Sequence, residues 1–184
     1  MRKATLVKAG ALLLFTGSAM GVYAALSKTA SGSNWQSAAQ AAPAGLMEQV
    51  VRDNITSNAQ IDAGKMKVWK ILQAGQSEPL YLIDTRIANL SERPSGNPLC
   101  GALGCAFFGY VSENSHYRKV LGTYFDVNLP PHVPLFELTD NLQKGLPTLK
   151  VNQREGDRVR QFIFSFNGES YEVVETRLSP NVYQ

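Results

Sequence analysis

Near the C-terminus, the runs from Arg158 to Phe166 and from Glu169 to Arg177 alternate apolar and polar side chains around Asn167-Gly168. Asn-Gly is the dipeptide that most strongly favours a two-residue hairpin turn. With both residues at the centre of the turn, the register is fixed: Phe166 faces Glu169, Phe164 faces Tyr171, Phe162 faces Val173 and Arg160 faces Glu175. This places aromatic and β-branched side chains on one face with an ion pair at the far end, each pair contributing about 0.2–1 kcal/mol. Ser165, Ser170, Glu172 and Gln161 fall on the opposite face. One buried and one solvated face is the pattern of an antiparallel sheet.

The rest of the body reads in the same terms. Leu46, Met47, Val50, Val51 and Ile55 recur at helical spacing with Glu48, Gln49, Arg52 and Asp53 between them, which predicts an amphipathic helix from Leu46 to about Asn58 after Pro43. Met66–Leu72 and Leu80–Thr85 flank a Gly- and Pro-containing loop, and Ala106–Val111 and Tyr117–Val127 flank Ser112-Glu113-Asn114-Ser115; both are expected hairpins. The expected fold is therefore α+β and mainly antiparallel β, with one N-terminal helix packed on a meander-like sheet. The globular domain is assigned to residues 46–177, long enough for one core and too short for two domains, with a short tail at 178–184.

Residues 1–24 join a basic start to the apolar run Ala9–Gly21 and end in Val22-Tyr23-Ala24, the three parts of a secretory signal. The uncharged stretch Ala9–Leu26 is also long enough for an uncleaved anchor, and three early cations would keep its N-terminus cytoplasmic. Either reading exports the body to the periplasm or a lumenal compartment. Residues 25–45, rich in Ala, Ser, Gly and Gln, are expected to be a flexible linker in which Trp35 docks on the body or lies near the membrane. The formal charge of +3 belongs to this N-terminus: taking Arg2, Lys3 and Lys8 from 18 bases leaves 15 against 15 acids. A balanced body has little of the phosphate-neutralising charge that nucleic-acid binding needs, so nucleic acid is not an expected partner. Membrane contact is expected only through the N-terminal segment.

Cys100 and Cys105 are the only cysteines. In an exported chain two such thiols are expected to oxidise to each other, and the intervening Gly101 and Gly104 allow a tight turn leading into the aromatic strand. A redox motif would have Cys-x-x-Cys at a helix start, and this spacing before a strand is different. His116 lies in a polar stretch and His132 among Pro130, Pro131 and Pro134. Two scattered histidines and two paired cysteines lack zinc-ligand spacing, and there is neither a nucleophile elbow nor a phosphate loop. No metal or cofactor is expected, and no catalytic residue is assigned. Asp84 and Arg86 end an apolar strand, where they satisfy backbone groups, pair across the sheet or serve a site. Leu129–Phe136, with three prolines, reads as a stiff crossover with Phe136 as an anchor. Asn54-Ile55-Thr56 and Asn89-Leu90-Ser91 match the glycosylation sequon, the first inside the predicted helix.

Leu80–Arg86, then Asn97-Pro98-Leu99-Cys100-Gly101-x-x-Gly104-Cys105 running into an aromatic strand, then Tyr117-x-x-Val120-Leu121 and Phe166-Asn167-Gly168-x-x-Tyr171, together resemble a family. It comprises small exported bacterial proteins of unknown function, some from photosynthetic bacteria, that share a Cys-Gly-x-x-Gly-Cys hairpin and a final aromatic strand pair. The resemblance covers roughly residues 80–175 and implies an exported fold without carrying over any catalytic residue. Leu146-Pro147-Thr148-Leu149 departs from the Leu-Pro-acid or Leu-Pro-Cys run of its relatives. The expected function is an exported, disulfide-containing binding or accessory module, such as a subunit or assembly factor of a membrane complex. Its candidate surface comprises Asp84, Arg86, Tyr110, His116, His132 and Phe136. The alternatives are a small hydrolase using Asp84 with His116 or His132, and a thiol-disulfide protein.

Overall fold

The computed structural model describes residues 34–56, 61–87 and 97–179. The signal or anchor at 1–24, the first part of the linker, Asn58, the Asn89 sequon and the end of the tail lie outside these residues. The described chain is mainly antiparallel β, arranged as two sheets. The first contains β1 (Gln36–Ser37), β2 (Lys67–Ile71), β3 (Leu80–Asp84), β4 (Cys100–Gly101), β5 (Gly104–Glu113) and β6 (His116–Phe125). β3 and β4 share one edge of β5, and β6 occupies the other. The second sheet is the meander β7 (Phe136–Gln143), β8 (Leu146–Glu155), β9 (Arg158–Phe166) and β10 (Tyr171–Leu178), in spatial order β10-β9-β8-β7. Residues 126–135, with their three prolines, carry the chain from one sheet to the other.

Two apolar layers cover the first sheet. Leu80 and Leu82 of β3 and Phe107 of β5 face the second sheet, where Phe136, Leu149, Val151, Phe164 and Phe166 complete the larger core. Tyr81, Ile83, Ala106, Phe108 and Tyr110 face the other way, against Leu46 and Val50 of the helix α2 (Leu46–Asn54). Covering on both sides explains why all five residues of β3 are buried. It also explains why β5 reads as a continuous apolar run and not as an alternation. α2 stops at Asn54, short of Asn58, where Ile55 turns to an extended conformation. Asn54 itself is engaged, its side-chain amide donating to the Val50 carbonyl and to the Tyr110 hydroxyl.

The body begins before Leu46. Gln36 and Ser37 pair with β2, the short helix α1 (Ala38–Ala41) follows, and Ala38 is buried. Ser37 donates to the Gly64 carbonyl at 3.0 Å, and the Ala38 N–H donates to the Met66 carbonyl at 2.8 Å. Trp35 anchors this strap, its ring centroid 5.8 Å from Trp69, 6.3 Å from Phe107 and 6.1 Å from Phe136. One large aromatic thus orders a stretch whose composition alone reads as linker.

The C-terminal hairpin forms in a register two residues from the expected one. Phe166 pairs with Tyr171 and Phe164 with Val173, so the turn is centred on Gly168-Glu169. The Asn167 side chain is the reason. Its Oδ1 accepts the N–H groups of Glu169 and Ser170, each at 2.9 Å, so Asn167 caps the turn from its flank. Because the slip is two residues, Phe164, Phe166 and Tyr171 keep their common face. A bulge between Val173 and Glu175 then breaks the expected ion pair: Arg160 pairs with Glu155, and Glu175 with Arg177 of its own strand.

β7 and β8 had no counterpart in the sequence reading. Their turn is Lys144-Gly145, with φ of 51° and 85°, the positive pair that a two-residue hairpin turn demands. Pro147 lies in β8 before its pairing with β9 starts at Leu149, so it interrupts no bond to that neighbour. The Pro147 carbonyl accepts the Tyr171 hydroxyl at 2.7 Å.

Phe107 packs on Trp35, Phe125 and Phe136 and is 1% exposed. Phe107→Ala is expected to destabilise the fold by about 3–5 kcal/mol, the cost of an aromatic-to-alanine cavity, measured by urea unfolding.

Candidate functional site

The most constrained local structure is the turn at the start of β5. Cys100 and Cys105 are disulfide-bonded and face each other as strand partners, and Gly101 faces Gly104, leaving Ala102 and Leu103 at the tip. Gly104 has a φ of 98°, and a Cβ there would lie 2.1 Å from the Phe125 carbonyl oxygen, so the turn packs on β6 in a way only glycine permits.

Behind the turn is a buried polar cluster. The Asn97 amide donates to the Thr85 carbonyl at 2.8 Å and approaches Cys100 Sγ at 3.3 Å, while its Oδ1 accepts the Leu99 N–H at 3.0 Å. The Thr85 hydroxyl donates to the Ala106 carbonyl at 2.8 Å. Asn97 and Thr85 therefore join the end of β3 to the disulfide turn with their polar groups satisfied, as burial requires. The tip has the opposite character: Leu103 is 78% exposed.

The residues singled out from sequence are not gathered in one place. The Asp84 side chain is 1% exposed and accepts the Arg86 N–H at 2.9 Å, together with Nε and Nη2 of the same guanidinium. Arg86 also lies over the Phe107 ring, 5.6 Å from its centroid. This pair closes the end of the inter-sheet core. His116 opens β6, partly exposed, with Nε2 3.3 Å from Glu113. Asp84 pairs with Phe107 and His116 with Glu113, six residues along β5. At the rise of an extended strand that is roughly 20 Å, far outside hydrogen-bond reach. His132 is exposed in the crossover.

Tyr110 and Phe136 are not surface residues. Tyr110 is fully buried under α2 and donates to Asp53 at 3.1 Å, and Phe136 is 6% exposed among Phe107, Phe125 and Trp35. The polar tip of Tyr110 and the proline-rich neighbourhood of Phe136 suggest exposure, and both side chains are nonetheless covered. Leu103 went unsingled because an apolar turn residue carries no signal of exposure in a sequence.

Among the described residues, no three His, Cys, Asp or Glu side chains come together as a metal site. A shallow depression of about 590 Å³ is lined by α1, α2 and the link between them, including Ala38, Ala42, Pro43, Met47 and Val51 together with Glu48 and Arg52. No protein-family model matches the chain, and no curated protein or solved structure matches it either.

The disulfide closes a small ring, so replacing both cysteines by serine should cost about 2 kcal/mol by the loop-length relation. The expected result is a modest loss of stability in chemical unfolding with the circular dichroism of the fold retained.

Burial pushes the Tyr110 hydroxyl above its usual range, and the nearby Asp53 carboxylate adds to the effect; burial alone does the same to Tyr171. A group whose folded pKa lies above its unfolded value of about 10 contributes stability that is full below that pH and is lost as pH rises through the folded value. Unfolding free energy should therefore be insensitive to these tyrosines up to about pH 10 and fall above it. Tyr171→Phe should cost about 1–3 kcal/mol at neutral pH by leaving the Pro147 carbonyl unpaired, and should flatten the alkaline decline.

Proposed function

We propose that this chain is an exported binding or accessory module of the periplasm or a lumenal compartment, docking a protein partner such as a subunit of a membrane complex. Leu103 carries the reading. A large apolar side chain, 78% exposed, sits on a turn fixed by a disulfide, by a glycine that tolerates no Cβ and by the Asn97 cluster behind it. Pre-ordering an apolar side chain lowers the entropy cost of association, and fully burying an exposed leucine contributes about 1.5–3 kcal/mol. The disulfide is compatible with an oxidising compartment, and the basic, apolar N-terminus supports export. The resemblance to small exported bacterial proteins supports the same location.

The titratable side chains support binding over chemistry. Asp84 is held by Arg86, and His116 contacts Glu113 far from it along β5. With 15 bases and 15 acids outside residues 1–24, recognition rests on shaped apolar surface more than on long-range attraction.

The test is crosslinking in native envelopes followed by purification and mass spectrometry. Wild type should recover a reproducible partner whose recovery changes little with salt, and Leu103→Asp should lose it while melting at the wild-type temperature. Failure to recover any reproducible partner, or equal recovery by the variant, overturns the reading.

A further inference from the structure

β10 ends the second sheet with one edge unpaired among the described residues. It differs from the other sheet margins. β1 and β4 have two residues each, β6 carries Lys119 and a register shift against β5, and β7 is broken by an irregularity between Leu138 and Leu142. β10 runs eight residues without Lys or Pro, and Val173, Val174 and Leu178 are 47%, 57% and 46% exposed. Short strands, bulges and exposed charges blunt an edge; β10 is eight residues long, its bulge lies beside Val174, and its Glu175 and Arg177 are already paired with each other.

The hydrogen-bond pattern shows which groups this edge offers. The Ser179 N–H donates to the Val159 carbonyl at 2.8 Å. Ser179 and Arg177 are therefore the bonded positions toward β9, and alternation turns the N–H and C=O groups of Leu178 and Thr176 outward.

We propose that two copies of this chain associate through β10, antiparallel, about a twofold axis perpendicular to the sheet at Thr176. A symmetric antiparallel pair places one residue opposite its own copy, so the choice of centre is restricted. Centring on Glu175 sets two carboxylates against each other. Centring on Val174 puts the axis at the bulge. Centring on Thr176 pairs Thr176 with Thr176 of the partner subunit, Glu175 with Arg177 of the partner subunit and Leu178 with Val174 of the partner subunit. Each Glu175–Arg177 ion pair, now made within one strand, gains an equivalent across the axis. Exposed apolar side chains meet at both ends, and the four-stranded sheet becomes an eight-stranded one. The contact does not use Leu103, so it is independent of partner docking at the disulfide turn.

Both native cysteines are in the disulfide, so a single introduced thiol reports proximity cleanly. Directly opposite bonded residues lie about 5.5 Å apart at Cα, within disulfide range. Thr176→Cys in the full chain should form a covalent dimer on mild oxidation, and Glu169→Cys, at the far turn, should not. Thr176→Pro removes an outward N–H and no bond to β9, so it should weaken the dimer about tenfold or more in sedimentation equilibrium while leaving the circular dichroism spectrum unchanged. Glu175→Arg should weaken the dimer, and adding Arg177→Glu should restore it. A chain that stays monomeric to about 0.1 mM, or a dimer indifferent to Thr176→Pro, overturns the proposal.

Discussion

The ring of Phe107 is where the parts of this protein meet. It sits in the central strand of the first sheet and packs on Phe125 of the next strand, Phe136 of the second sheet, Trp35 of the N-terminal strap and the guanidinium of Arg86. Edge-on and tilted aromatic contacts of this kind add to the apolar area they bury. Each contact also fixes a separate piece of topology: the pairing within the first sheet, the stacking of the second, the docking of residues before Leu46 and the closing of the core by Asp84 and Arg86. Because β5 is covered on both faces, the side chains that alternate with Phe107 face α2 and leave no solvated side to that strand.

The disulfide turn is an outgrowth of the same strand. Its geometry comes from the satisfied polar groups of Asn97 and Thr85 and from the close approach of Gly104 to β6. Such a support gives a rigid tip on which one apolar side chain stands free of the core. The charged residues nearest the cores have partners of their own: Asp84 with Arg86, Glu137 with Lys150, Asp53 with Tyr110. Among the described residues, the apolar tip at Leu103 and the outer edge of β10 remain exposed.

Three hairpins were readable because the signal for each is local: alternating or apolar β-prone runs around turn residues. The C-terminal register was misplaced because Asn167 has two uses, as a central turn residue and as a side-chain cap, and a sequence does not say which. β7 and β8 were missed because Lys144-Gly145 is a weaker turn signal than Asn-Gly, and because Pro147 reads as a break until its place outside the β8–β9 pairing is known. Tyr110 and Phe136 were placed at the surface, and both are buried by elements far along the chain: α2 covers Tyr110, and Phe107 and Phe125 cover Phe136. The candidate site at Leu103 was not legible, because exposure is a property of what fails to pack against a residue.

The antiparallel character of the fold, the three local hairpins, the pairing of Cys100 with Cys105 and the charge balance after residue 24 can all be read from the chain's residues alone. All of these depend on neighbours within a few residues or on composition, where alternation, turn chemistry and charge count are sufficient. The tertiary structure decided the division into two sheets, the covering of β5 on both faces, the ordering of Trp35 and its strap, and which apolar side chains stay in water. Those depend on contacts between residues widely separated along the chain, and the free energy of burying an apolar group is set by what it packs against, not by where it lies in the sequence.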